Sequence, residues 1–500
     1  MSGPSSAIDT ADYFDANATT IATDDLPNTG QLDIFVASED TRGSSPRRAH
    51  ATLVQLDRKP TSPNTRNVVF LPPIHPLEIQ LGYHSIPRHK DAVKLTEIQP
   101  ILLSYAMPEP IVLPFWGGVR TILKRDAMII RVKADNGLEG FAPGPAHEEG
   151  AKRIQNQIAD FLIGKNPLDW KSFRFPAESQ ADQKLYHAVE VALLDLVGRY
   201  EGCPVSELIG GRVRDQIKLY GSAGMYMDPE GFAEESAAIQ AMGFPAYKMR
   251  PALGPERDLK TVELMRAATG PDFGLMIDAH SWWRMGNKSF TPQMVQETAQ
   301  AMSEFQPAWL EEPIIPHQHD DYLALKQAGH VPVASGEHEQ EESGFLDLIE
   351  RRAVDYIQMD VCCQGGIAMG QRVMAAAQEH DIRFAFHSWG NDLEVLAAAH
   401  LGICWPESTV EWLEYPCYSN NGKAGMYPFP VAQEILKTPL EIKDGYLTTP
   451  SGPGLGIEIN LDLERKYPFQ PGPWSYFKLD DPPSEVAVTG DHSIQWVDTK

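Results

Sequence analysis

The chain has 500 residues, a formal net charge of −25 and 42% hydrophobic residues. That length exceeds one typical domain, the apolar fraction supplies a substantial core, and the acidic excess argues against nucleic acid or an anionic membrane as partner. Five cysteines (Cys203, Cys362, Cys363, Cys404 and Cys417) show neither CxxC spacing nor a Cys/His cluster, which argues against a disulfide frame or zinc site and fits reduced, buried thiols in an intracellular, cytoplasmic protein.

In chain order, residues 1–92 read as an amino-terminal extension. Ser, Thr, Asp, Asn and Pro dominate the first fifty positions with little periodicity, so the extension is expected to be largely disordered. Its start lacks the basic and apolar regions of a signal peptide, and no stretch of the chain approaches membrane-span length. Without secretion the sequons at Asn17 and Asn287 carry no weight. Residues 51–92 are apolar enough to pack, but the prolines of NVVFLPPIHPLEIQLGYHSIP deny them regular structure.

Residues 93–210 read as an α+β domain. KLTEIQPILLSYAM and DAMIIRVKADNGLEGFA alternate as strands around an Asn136-Gly137 turn. KLYHAVEVALLDLVGRYEG then sets Leu185, Val189, Ala192 and Leu196 on one helical face, ended by Gly202 and Pro204. Between residues 211 and 420 the pattern becomes a repeat. Ile217–Ala223 is the first strand, and short β-prone runs then end in turn at Lys248-Met249-Arg250, Asp278, Glu311, Glu337, Asp360, His387 and Glu414. The intervals from Lys248 onward are 30, 33, 26, 23, 27 and 27 residues, about one strand plus one helix each. Predicted helices include Asp258–Ala268, Pro292–Phe305, Gly344–Arg351, Ala368–His380 and Leu393–Leu401. A closed parallel barrel brings all these strand ends to one rim, where barrel enzymes keep their chemistry. Residues 421–470, with GYLTTPSGPGLGIEIN, read as a return to the first domain, and the Pro- and Asp-rich 471–500 as a surface tail.

Three carboxylates on adjacent strand ends, Asp278, Glu311 and Glu337, suit Mg²⁺, a hard cation that takes oxygen ligands. A lone Glu-Glu-Pro or strand-end Asp ordinarily means a cap or turn; three at barrel spacing reverse that reading. Glu312 is expected to point away by strand alternation. Asp360 and His387 follow on the next strands, where a carboxylate on one imidazole nitrogen raises basicity at the other. Lys248 and Arg250 alternate so that both enter the barrel mouth. Together these parts describe removal of a proton alpha to a carboxylate. Such a proton lies roughly twenty pK units above imidazole at about 1.4 kcal/mol each, so the base needs cationic help to stabilise an enediolate. Glu414, protonated in a crowded pocket, is a candidate donor to that intermediate. In the covering loops, Trp116 of LPFWGG and His147 of GPAHEEG are candidates to touch substrate. Arg250 is open between the substrate carboxylate and an acidic neighbour, while His280 and His338 are open between chemistry and support of the metal carboxylates. Cys362-Cys363 is read as packing on a barrel strand.

These residues carry a resemblance to the enolase superfamily, in its mandelate racemase subgroup. It spans about residues 95–470 and includes AVEVALLDLVGRYEGCPVSELIGG before the barrel and PGLGIEI after it. The resemblance implies a modified (β/α)7β TIM-type barrel under an α+β capping domain. It also implies Asp278, Glu311 and Glu337 as Mg²⁺ ligands, an Asp360–His387 dyad, Glu414 as eighth-strand donor, and a homo-oligomer. The subgroup's two-base racemases carry Lys-x-Lys on strand two, whereas this chain has Lys248-x-Arg250; arginine is a poor base. One histidine base suits β-elimination of water, with His387 or His280 returning the proton. Glu337-His338-Glu339 resembles acid-sugar dehydratases of the L-rhamnonate dehydratase type, which implies that His338 touches substrate. The expected activity is therefore dehydration of an aldonic-type sugar acid, a small-molecule carboxylate. The alternatives are a racemase, epimerase or lactone cycloisomerase on the same scaffold, and a non-catalytic scaffold relative.

Overall fold

The computed structural model describes residues 20–24, 31–38, 50–57, 93–417, 429–480 and 483–488. The chain divides into two compact units, Met1–His89 and Lys90–Lys500. In the first unit, β1 (Thr20–Asp24), β2 (Gln31–Ser38) and β3 (His50–Asp57) form an antiparallel sheet in the order β1-β2-β3. This differs from the expectation of a largely disordered extension. The alternation of Leu32, Ile34 and Val36 in QLDIFVAS is a strand signal that the surrounding polar composition obscures. Asn17 and the proline-rich stretch before Lys90 lie outside the described residues.

The second unit opens with a long hairpin, β4 (Leu95–Phe115) and β5 (Gly118–Ala134), followed by β6 (Glu139–Gly144). Asn136 and Gly137 make the expected turn, with Gly137 at φ 84° donating to the Ala134 carbonyl. The helix Gln180–Glu201 packs on this sheet. It is capped by the Ser179 side chain and ended by Gly202 at φ 72°. Its buried face includes all four positions read from the sequence, Leu185, Val189, Ala192 and Leu196.

Eight parallel strands then close into a barrel. They are β7 (Gln216–Met225), β8 (Ala246–Arg250), β9 (Gly274–Asp278), β10 (Trp309–Glu311), β11 (Val333–Ser335), β12 (Tyr356–Met359), β13 (Arg383–Phe386) and β14 (Val410–Pro416). Pairing of β14 with β7 completes the ring. A helix crosses back after each of the first seven strands, which makes the barrel (β/α)7β. The helices at Pro255–Thr269, Pro292–Met302, Glu342–Glu350, Gly366–Glu379 and Asp392–Gly402 lie within a few residues of the predicted ones.

Two expectations for the carboxyl-terminal part need correction. The hairpin of β15 (Ile442–Lys443) and β16 (Tyr446–Thr448) adds antiparallel to β7, so this part of the return extends the barrel sheet. Further on, Leu455 donates to Asp195 of the cap helix, and Ser104 of β4 donates to the Tyr467 carbonyl, which does join the cap. The described part of the supposed surface tail forms strands: β17 (Ser475–Asp480) pairs with β5, and β18 (Pro483–Val488) pairs with β17. Its alternating SYFKLD run is a strand signal that proline-rich flanks had masked.

Among the described residues no helix is long and apolar enough to cross a membrane. The five cysteines are free. Cys362 and Cys363 do not pack on a strand, because residues Val361–Gly365 wind into one π-helical turn after β12, with Cys362 buried and Cys363 exposed.

Candidate active site

Side chains alternate along a strand, so six of the eight strand ends repeat a simple rule: an apolar residue fills the barrel and the residue two further on reaches the mouth. Tyr220, Ala246, Met276, Trp309, Ala385 and Trp412 form one buried layer. Two positions later stand Ser222, Lys248, Asp278, Glu311, His387 and Glu414. The aromatic floor is tightly knit, with Tyr220 5.3 Å from Trp309 and 6.3 Å from Trp412. It denies water to the charges above it.

Lys248 is fully buried and binds three carboxylates: Glu311 at 2.6 Å, Glu414 at 3.1 Å and Asp278 at 3.7 Å. Burial works against its charge, but Glu311, Glu414, Tyr220 and Asp278 carry its pKa well above the ordinary value. Arg250, left open by the sequence between the substrate carboxylate and an acidic neighbour, is engaged with Asp278 (3.0 Å), Glu414 (3.3 Å), Ser222 and the Ala223 carbonyl. Its guanidinium also stacks on Trp389, 3.7 Å from the ring centroid.

Asp278 and Glu337 are held below the ordinary carboxylate range. Burial opposes ionisation of both, but His280, Arg250 and Lys248 outweigh it at Asp278, and His387, His338 and Lys248 outweigh it at Glu337. Glu311 goes the other way. Burial raises its pKa well above normal against the pull of Lys248, and Asp278, Glu337 and Glu414 add to the rise. Its second oxygen accepts from the Trp309 indole at 2.9 Å.

The chain turns sharply to place Glu337. Gly336 holds φ 132°, and a Cβ there would lie 2.3 Å from the Gln358 carbonyl oxygen. His387 follows β13 and donates from Nδ1 to Asp360 at 3.2 Å. Its Nε2 faces Glu337 at 3.3 Å and Glu414 at 3.9 Å. Burial depresses the imidazole, but Glu337, Glu414 and Asp360 push it up to about 10. Asp360 is fixed by the backbone N–H groups of Cys362 and Cys363, which reach its other oxygen at 2.8 and 2.9 Å.

Glu414 is ringed by polar partners. Ser222, the backbone of Ser388, Lys248 and Arg250 all present donors to its oxygens. Burial favours the neutral acid, yet Lys248, His387 and Arg250 lower its pKa. Its oxygens thus lie among donors and beside the charges of Lys248 and Arg250.

His280 donates to Asp278 at 2.5 Å and lines the cavity. His338 lies between two partners: Nδ1 meets Glu312, and Nε2 stands 2.5 Å from Arg284. Burial lowers its pKa, but Glu312 and hydrogen bonds to Glu312 and Glu337 carry it up to about 9. The Arg284 contact, however, requires Nε2 to accept, so we favour the neutral ring with its proton on Nδ1. Glu312 stands just past the end of β10 with its backbone at φ 41°, an uncommon conformation outside glycine, so strand alternation does not set its direction. That twist sets its carboxylate under His338 and beside Glu337.

Of the two cap candidates, His147 lines the cavity while its Nδ1 caps the helix Glu148–Arg153. Trp116 does not reach the cavity. Its ring stacks edge-on to Phe290, and it packs over Gly254 in a separate groove. The cavity, of about 790 Å³, is also lined by Arg120, Lys184, Tyr226, Arg284, Glu394 and Trp389, none of which the repeat pattern marks. The one available signal was the aromatic-basic run Trp282-Trp283-Arg284 after β9.

The donor set fits a hard divalent cation. Buried Asp278 Oδ2 and Glu337 Oε2 each lack a hydrogen-bond donor of good geometry. Three buried carboxylates (Asp278, Glu311 and Glu414) pair with two cations, Lys248 and Arg250, while Glu337 faces His338 and His387. The closest-knit donor groups are Asp278–His280–Glu337 and Glu312–Glu337–His338, whereas Glu311 faces Lys248. His280 Nδ1 and His338 Nδ1 are both hydrogen-bonded to carboxylates, so oxygen donors are what each group offers.

Comparison with known proteins adds family models and relatives. A model described as Enolase C-terminal domain-like matches residues 231–463, and one described as the Mandelate racemase / muconate lactonizing enzyme N-terminal domain matches residues 103–210. The chain is 29% identical to D-galactarolactone cycloisomerase of Agrobacterium fabrum, over 74% of this chain and 97% of that one. It is 28% identical to D-xylonate dehydratase of Haloferax volcanii, over 67% and 84%. Among solved structures it resembles the 3,6-anhydro-D-galactonate cycloisomerase from Zobellia galactanivorans, with TM-score 0.61 and 27% identity over 75% and 99% of the two chains.

Proposed function

We propose the following activity for this chain, which belongs to the enolase superfamily in its mandelate racemase subgroup: it removes the proton alpha to the carboxylate of a sugar acid and eliminates water across the adjacent bond. The carrying observation is the Asp360–His387 pair, whose second imidazole nitrogen faces Glu337 and, beyond it, Glu414, the carboxylate that Lys248 also binds. Asp360 fixes the tautomer, so that Nε2 is the atom aimed at substrate. Lys248 supplies positive charge in a dry site, where it counts for more than in water. Glu414 and Arg250 hold Lys248 and Asp278 in place. His387 receives the alpha proton, and His387 or His280 delivers a proton to the departing hydroxyl.

Asp278, Glu311 and Glu337 would hold Mg²⁺, which would polarise the substrate carboxylate and offset the Glu337 charge that keeps His387 protonated. The dehydratases among the relatives support elimination of water from a sugar acid. The two cycloisomerases favour a second reading, in which the same proton is removed but the leaving oxygen belongs to a ring. Racemisation by two bases is disfavoured, since Arg250 stays charged and is engaged with two carboxylates.

The test is incubation with a panel of sugar acids and their lactones in D₂O with Mg²⁺, followed by NMR. A 2-keto-3-deoxy acid supports dehydration, and an unsaturated or rearranged product from a lactone supports cycloisomerisation. Failure of every acid and lactone to react or exchange its alpha proton would refute both.

A further inference from the structure

One wall of the cavity has no part in that chemistry. Arg120 of β5 is only 6% exposed and stands in register with Phe477 of β17. Its guanidinium carbon lies 4.8 Å from the ring centroids of both Trp474 and Phe477. Its Nε is buried without a hydrogen-bond partner, and among the described residues no carboxylate pairs with it. The nearby Asp126 is taken by Lys124 at 2.9 Å and Ser104 at 2.6 Å. Arg125 stands over the same indole at 4.5 Å, so two guanidinium groups share one side of the cavity. Arginine stays protonated at any working pH, and aromatic faces offset only part of the cost of burying it.

This wall and the barrel mouth line one cavity. Phe477 packs on Phe115 at 5.6 Å, and Phe115 on Tyr226 at 5.8 Å. Tyr226 follows β7 and holds φ 52°, a conformation that non-glycine residues rarely adopt and that is concentrated at functional sites. Arg120, Trp474 and Phe477 line the same cavity as Asp278, His280, Glu337 and His387.

We propose that Arg120, seated against Trp474 and Phe477, binds a second carboxylate at the far end of the substrate. The substrate class is then a dicarboxylic sugar acid or its monolactone, in place of the monocarboxylic acid expected from the sequence. The edge of a guanidinium matches the two oxygens of a carboxylate, and the flanking rings hold that edge in one direction. The identity of the reacting end rests on the activity proposed above; the existence of the anion subsite does not.

Adipate separates the two, because it has a carboxylate at each end and no hydroxyl to eliminate. Calorimetric titration of the full chain with Mg²⁺ is expected to show adipate binding at least tenfold tighter than hexanoate. Arg120→Gln should weaken adipate at least tenfold more than it weakens hexanoate, and Arg120→Lys should recover part of the loss. Equal affinity of the wild-type protein for the two acids would overturn the proposal even if no variant folds. So would tighter binding of 6-phosphogluconate than of adipate, since the subsite would then be one for phosphate. If adipate is preferred but no sugar diacid reacts or exchanges, the subsite stands and the proposed chemistry fails.

Discussion

Lys248 shows how a single side chain organises the site. A lysine at zero exposure keeps its charge only because three carboxylates converge on its nitrogen. Lys248→Met should therefore lower stability by about 3–5 kcal/mol, the usual range when one partner of a buried ionic group is removed. Urea denaturation with and without Mg²⁺ measures this, and an unchanged midpoint in metal-free buffer would contradict it. His387→Asn is expected to slow alpha-proton exchange roughly 10²–10⁴-fold, the usual contribution of a general base, while divalent-cation binding stays within a few-fold of wild type. Near-normal exchange would place the base elsewhere. Residues of this kind were legible in sequence because strand alternation fixes their direction. Glu312 and His338 were less so, since their contact depends on one left-handed backbone angle that no local pattern announces.

Among the elements, the helix Gln180–Glu201 approaches β6 closely. A Cβ on Gly140 would lie 2.2 Å from the Ala192 carbonyl and 2.5 Å from the Leu196 nitrogen. Gly140→Ala should cost about 1–3 kcal/mol through overpacking, read as a lower midpoint of unfolding; a neutral result would mean that strand and helix can separate freely. The helix Asp392–Gly402 is tied to the return segment by His400, whose Nε2 meets the Leu455 carbonyl at 3.2 Å. Burial lowers the His400 pKa to about 4. Because the folded value lies below that of an exposed imidazole, the unfolded chain binds the extra proton between about pH 6.5 and 4. Stability from this group is complete above that window and falls as the pH drops through it. Comparing His400→Gln with wild type across that range should recover up to about 3 kcal/mol of pH dependence. Parallel curves would show that His400 titrates normally. Helix positions were readable from periodicity, whereas β17 was missed because pairing with β5, a distant strand, gives it its order.

At the scale of the molecule, the carboxyl-terminal strands complete the sheet over the cavity. Truncation after Gly472 removes β17 and β18 and leaves the Gly118–Ile122 stretch of β5 as an open edge. The shortened protein is expected to unfold at lower temperature and to self-associate through that edge, as judged by thermal melting and gel filtration. Identical behaviour to the full chain would make these strands dispensable. By itself the sequence determined the barrel, its order of strands and the residues that end them, because a repeat of about one strand plus one helix and a period of two are local properties. The tertiary structure decided which charges meet: Arg250 with Asp278 and Glu414, Glu414 among donors, and Arg120 against the rings of Trp474 and Phe477. Those outcomes depend on distances between segments far apart in the chain and on burial, which sets the strength of every charge in the cavity.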